Sequence, residues 1–187
     1  PSVTYEVERR TPVVEAEVVT TLSPSPRRLD VQAIVVHDVR RAGVRTFQVD
    51  VPTWAGDEVR FEGSSVRGHE KMPLNGTRPG YDRYEITLGQ RVVGRHSLVV
   101  LYHRDTDDEN WSLGADEPLL PDVPLERVER YVVVQRAEGL EVALPGASIE
   151  GDARTVEVTD LPIEAPANPL ATLEVLHLVE RRDGLAL

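Results

Sequence analysis

Arg83-Tyr84-Glu85-Ile86-Thr87-Leu88 alternates polar and apolar residues without a break. A side-chain period of two puts Tyr84, Ile86 and Leu88 on one face of a pleated strand. The same alternation recurs at Val3, Tyr5 and Val7, at Val14, Ala16 and Val18, and at Leu140, Val142 and Leu144. No apolar stripe of helical period interrupts these runs, so the chain reads as all-β. Further β-branched runs cover residues 29–39, 44–51, 95–103, 130–136 and 172–179. Val35-Val36 and Leu98-Val99-Val100-Leu101 are apolar on both faces, which marks central strands. Val35, Val99, Leu101, Val133 and Val142 are therefore the expected core.

Turn residues set the rhythm. Ser23-Pro24-Ser25-Pro26 fixes φ twice and removes two donors, and is expected to lie outside any ladder. Arg41-Ala42-Gly43 and Ala137-Glu138-Gly139 have the length and the glycine of hairpin connections. Asn75-Gly76 marks a turn inside a long polar loop, 63–80. Many short strands with such punctuation predict an antiparallel β-sandwich of immunoglobulin-like or Greek-key type, a barrel being the other all-β solution.

Residues 105–125 are rich in acid and proline, as linkers are. The expected organisation is a β-sandwich domain over 1–104, an acidic Pro-rich linker over 105–125, and a second, smaller β domain over 126–187. The last has only about sixty residues, near the lower limit for an independent core, so it is expected to lean on the first or to be truncated. In this strand–turn rhythm, and in short connections such as Val51-Pro52 and Leu144-Pro145, the chain resembles the β-sandwich modules strung along large bacterial surface or periplasmic proteins. It begins at Pro1 and closes on Leu185-Ala186-Leu187, as expected of a piece of a longer protein.

Composition narrows the function classes. A net charge of −11 over 187 residues repels nucleic-acid phosphates and anionic membrane surfaces, so neither is an expected partner. Apolar runs are strand-sized, so no membrane insertion is expected. Without cysteine there is no disulfide, thiol nucleophile or Cys-ligated zinc. Lys71 is the sole lysine among 21 basic residues, the arginine bias of a GC-rich bacterial genome.

The sharpest cluster is Asp105-Thr106-Asp107-Asp108-Glu109-Asn110. Asp105, Asp107 and Glu109, with Asp116 eleven residues after the first, follow the spacing of a calcium loop. Asn110 in place of glycine and Asp116 in place of the bidentate glutamate depart from the EF-hand, and a solvated acidic linker is the plainer reading. Calcium is the one cofactor the spacing admits. The five histidines show neither HxH nor HxxxH spacing, and each is expected at the surface or half-buried. No GxSxG elbow or phosphate loop is present. Trp54 and Trp111 sit in loops, where aromatic faces stack on sugars or plug a core edge. Arg67, His69, Lys71 and Arg78 make the 63–80 loop a basic patch on an acidic chain. With the two tryptophans they form the expected interaction site, suited to an acidic partner or a neighbouring acidic linker.

The resulting expectation is a non-catalytic structural or protein-interaction module of a larger bacterial extracytoplasmic protein. Its partners would be proteins or neighbouring domains. The alternatives are a carbohydrate-binding module using its loop aromatics, and an enzyme whose residues converge only in three dimensions.

Overall fold

Two strands of 25 residues each, β2 (Arg28–Pro52) and β5 (Tyr81–Asp105), pair antiparallel along nearly their whole length and form the spine of the molecule. The computed structural model describes residues 10–73, 78–106, 120–136, 152–162 and 172–179. Strands take up 71% of these, and the only helical residues among them are two single 3-10 turns, 53–55 and 158–160. The chain is all-β. The remaining strands are β1 (Val13–Ser25), β3 (Arg60–Glu62), β4 (Val66–Lys71), β6 (Val128–Gln135), β7 (Asp152–Thr155) and β8 (Thr172–Val179). They form one sheet in the order β3-β5-β2-β1-β6-β8-β7, with β4 also on β5. The expected strand runs at 3–7 and 140–144, Val142 among them, lie outside the described residues.

Arg41-Ala42-Gly43 does not reverse the chain as a hairpin would; β2 runs straight through it. Its capacity for positive φ is used all the same. Arg41 sits at φ 69° and Gly94, on the facing strand, at φ 83°. The register slips between Val39 and Val44 and again before Thr46. Extra residues on one strand of a pair bend it and raise its twist. The ribbon is kinked here, and its strands keep their inward phase on both sides: Val35 and Val39 before the kink, Phe47, Val49 and Val51 after it, all join one core. At Gly43 a Cβ would stand 3.2 Å from Arg91 Cβ, so the strands approach closely only because this residue has none. Side chains from the two halves of the ribbon meet. Phe61, on the strand paired to residues 99–101, has its ring 5.2 Å from Tyr84, on the far half of β5.

Three local expectations change. Pro24 lies inside the β1–β2 ladder, opposite Leu29. Even-numbered β1 residues donate away from β2, as Ala16 N–H does to Arg127 O. Pairing with β6 stops at Leu22, so the missing proline donor falls past the end of that neighbour. The 63–80 stretch holds a strand, β4, paired to β5. In the 98–102 run of β5 the buried residues are Leu98, Val100 and Tyr102, whereas Val99 and Leu101, expected in the core, are half-buried on the other face. Four consecutive apolar residues carry no phase, which is why the expectation fell on Val99 and Leu101 instead.

The sheet is not purely antiparallel as expected, because β1 and β6 run parallel. Parallel strands need a connection of a dozen or more residues, and about twenty separate β5 from β6. Val132, Val133 and Val134 are all buried. Val132 and Val134 join the main core, while Val133 packs with Val19 and Val175 on the opposite face, under Val156, Val158 and Leu161.

Two comparisons by chemical denaturation check these assignments. Leu98→Ala is expected to lower stability by about 2–5 kcal/mol, and Leu101→Ala by clearly less. Gly94→Ala, with open space for a methyl but positive φ, is expected to cost about 1–2 kcal/mol. Gly68→Ala, equally open and without positive φ, is expected to be neutral or stabilising.

Candidate functional site

Period-two alternation turns Glu15 and Glu17 of β1, Asp38 and Arg40 of β2, and Arg95 of β5 to the outer face of the sheet. With Glu126, Arg127 and Glu129 at the start of β6, they line a cleft of about 540 Å³ floored by Ala16, Val36 and Val128. The charges interlock. Arg40 joins Asp38 on its own strand and reaches Glu15 at 3.2 Å. Arg127 meets the other oxygen of Glu15 at 2.9 Å, and Arg95 meets Glu17 at 2.8 Å. The Asp38 hydrogen bond, then the charges of Asp38 and Glu15, raise the pKa of Arg40. Five carboxylates face three guanidinium groups, so the cleft is net acidic.

A second cluster is buried. Asp50 is 1% exposed and takes a bidentate pair from Arg83, at 2.6 and 2.7 Å. Asp50 and Asp122 exchange both backbone N–H···O bonds at 2.8 Å, pinning the segment before β6 to the end of β2. Asp122 in turn accepts from Arg130, from Arg78 at 3.5 Å and from the Val123 N–H at 2.8 Å. Every carboxylate here is neutralised by a guanidinium, the arrangement that makes a buried charge tolerable.

The basic patch read from the sequence is dispersed by its surroundings. Arg67, His69, Lys71 and Arg78 are all exposed, but Lys71 binds Asp82 at 2.8 Å and Arg78 binds Asp122 while lying 5.7 Å from the Tyr81 ring. The Asp82 hydrogen bond holds the Lys71 ammonium above its ordinary pKa. His69 packs on Phe61 at 4.9 Å. Trp54 is half-buried, edge-on to Tyr102 at 5.5 Å, with the Arg104 guanidinium 5.6 Å from its ring. Burial drives the Tyr102 hydroxyl well above its ordinary pKa.

Of the calcium candidates, Asp107, Glu109 and Asp116 lie outside the described residues, as does Trp111. Asp105 closes β5 and is held by Arg28 at 2.8 Å, with His103 at 3.7 Å. His103 also reaches Glu58 at 3.0 Å. Among the described residues, no group of three or more His, Asp or Glu side chains is placed to hold a metal.

Sequence spacing missed one grouping. His37 and His96 stand opposite each other on β2 and β5, and both are buried rather than at the surface. Fifty-nine residues of separation carry no local signal of this; only the ladder register does.

Compared with known proteins, the chain matches no family model, and no curated protein aligns with it.

Removing Arg83 leaves Asp50 charged and buried, so Arg83→Met is expected to cost about 3 kcal/mol in a denaturant midpoint measurement. Reversal of the exposed Arg67 to glutamate is expected to move stability by no more than ~0.5 kcal/mol. Calorimetric titration with calcium tests the acidic cluster. A site on Asp105, Asp107, Glu109 and Asp116 gives a saturable heat that Asp105→Asn weakens and Arg28→Ala, by freeing Asp105, strengthens.

Proposed function

We propose that the chain is a non-catalytic β module, structural or protein-binding, of a larger bacterial extracytoplasmic protein, and that it meets its partner through the charged cleft on its outer face. The observation that carries this reading is the interlocked charge lattice: Arg40, Arg95 and Arg127 are each fixed on carboxylates of β1 or β2. A preset pattern of alternating charge gives a protein partner specificity and orientation. Its acidic excess favours a partner segment carrying basic groups. The bacterial, extracytoplasmic setting rests on the arginine-for-lysine usage and on the resemblance in strand–turn rhythm. Contacts such as Phe61 on Tyr84 and His37 on Phe47, which join opposite halves of the ribbon, support a two-layer sandwich as the finer description of the fold.

Carbohydrate binding is the second reading, and the surroundings of Trp54 weigh against it there. Arg104 and Tyr102 already pack on the ring that a sugar would stack against.

Two measurements separate these readings. A photo-crosslinking residue at Arg127, whose side chain is 80% exposed, is expected to give one discrete adduct in cells. Exchanging Glu126 and Glu129 for glutamine is expected to suppress it. An equal yield from a crosslinker at exposed Arg60, away from the cleft, counts against the cleft as the contact surface. Tryptophan fluorescence titrated with a glycan panel is expected to show no saturable change; a saturable one favours the carbohydrate reading.

A further inference from the structure

His37 and His96 face each other across the β2–β5 ladder beside the kink, 1% and 8% exposed. Phe47, from the half of β2 beyond the kink, stacks on His37 with ring centroids 3.7 Å apart and planes 13° apart, and lies 5.6 Å from His96. Neither ring nitrogen of His37 has a hydrogen-bond partner, and neither does Nε2 of His96. An apolar ring would fill the same place without burying unpaired nitrogens, which cost free energy when left unsatisfied. The imidazoles sit where the two halves of the spine close on each other, next to the left-handed Arg41 and Gly94.

We propose that the His37–Phe47–His96 stack is an acid-sensitive latch: it holds the bent ribbon shut while both imidazoles are neutral, and it releases the half of β2 beyond the kink when they take up protons. Among the described residues no carboxylate pairs with either imidazole; Asp82, in inward phase on β5, stands opposite Val51 beyond the kink and is bound to Lys71. From β1 it is Ala16 that lies opposite His37; its neighbours Glu15 and Glu17 point outward, bound to Arg40, Arg127 and Arg95. On β2 itself, Asp38 and Arg40 also point outward and bind each other. From β5 the facing titratable group is His96, while Arg95 is turned outward onto Glu17. Beyond the kink, Phe47 is flanked by exposed Arg45 and Thr46 and by uncharged Gln48. His69 packs instead on Phe61 and Tyr84.

A proton on His37 therefore meets apolar surroundings and a second imidazole. Burial first, and the charge of His96 second, lower its pKa to about 3; burial lowers that of His96. A lowered value means that the closed form binds fewer protons than the open one. Closure is fully supported above about pH 6.5 and weakens as the pH falls from there towards 3. For an opened imidazole of ordinary pKa, a drop from about pH 7.5 to about pH 5 raises the open fraction roughly 30-fold for His37 alone.

Hydrogen exchange of the whole chain at these two pH values, corrected for intrinsic rates and read by mass spectrometry, tests the latch. The expected result is a loss of protection of about 30-fold or more in residues 44–51 and 82–92, little change in 16–22, 31–36 and 128–134, and a markedly smaller response in His37→Phe. Equal loss across every strand, or an undiminished response in His37→Phe, overturns the proposal. If that variant does not fold, an NMR titration of the wild-type imidazoles decides. His37 staying neutral until these segments open supports the latch. Titration near its ordinary pKa within an unchanged fold overturns it.

Discussion

The kink at the middle of the β2–β5 ribbon is the constraint from which the architecture follows. A straight antiparallel pair of this length would expose the inner face of at least one half. By slipping register between Val39 and Thr46, with Arg41 and Gly94 taking the left-handed conformation, the ribbon bends without losing its alternation. Val35, Val39, Phe47, Val49, Ile86, Leu88, Leu98 and Val100 can then share one core. Val, Leu and Ile fill most of that interior, as expected for a chain with only 5% aromatic residues. Several of the described rings gather along the ribbon: Phe47 with two histidines, Phe61 with Tyr84, Trp54 with Tyr102.

Buried ion pairs attach the rest of the sheet to this spine. Asp50 and Asp122 are joined through their backbones and are separately neutralised by Arg83 and by Arg130 with Arg78. These contacts hold the segment before β6 against the end of β2, and β6 then pairs along β1. A guanidinium offers several donors in a fixed fork, so it can satisfy a carboxylate in a setting where a lysine would leave a lone pair unmet. The arginine-rich composition is used structurally here, whatever its genomic origin. On the outer face the same chemistry recurs in a solvated setting, where interlocked pairs contribute little to stability and mainly define a charge pattern.

The sequence by itself determined the all-β class, because alternation in 83–88 and 14–18 is a local property of a pleated strand. It also determined that Val35 and Val133 are buried and that adjacent residues such as His37 and Asp38 point to opposite faces. Other features were decided only by the tertiary structure. Arg41-Ala42-Gly43 can serve a hairpin or a bulge, and the choice depends on whether a facing strand bends with it, which Gly94 does. Leu98 through Leu101 are all apolar, so their phase is set by which face meets Phe47 and Val49. Lys71 and Arg78 read as a basic patch, yet their charge is taken up by Asp82 and Asp122, the latter 44 residues away from Arg78. The outer cleft and the histidine pair draw their members from different strands. Strand register brought them together, and register arises from the burial of the whole sheet rather than from any one segment.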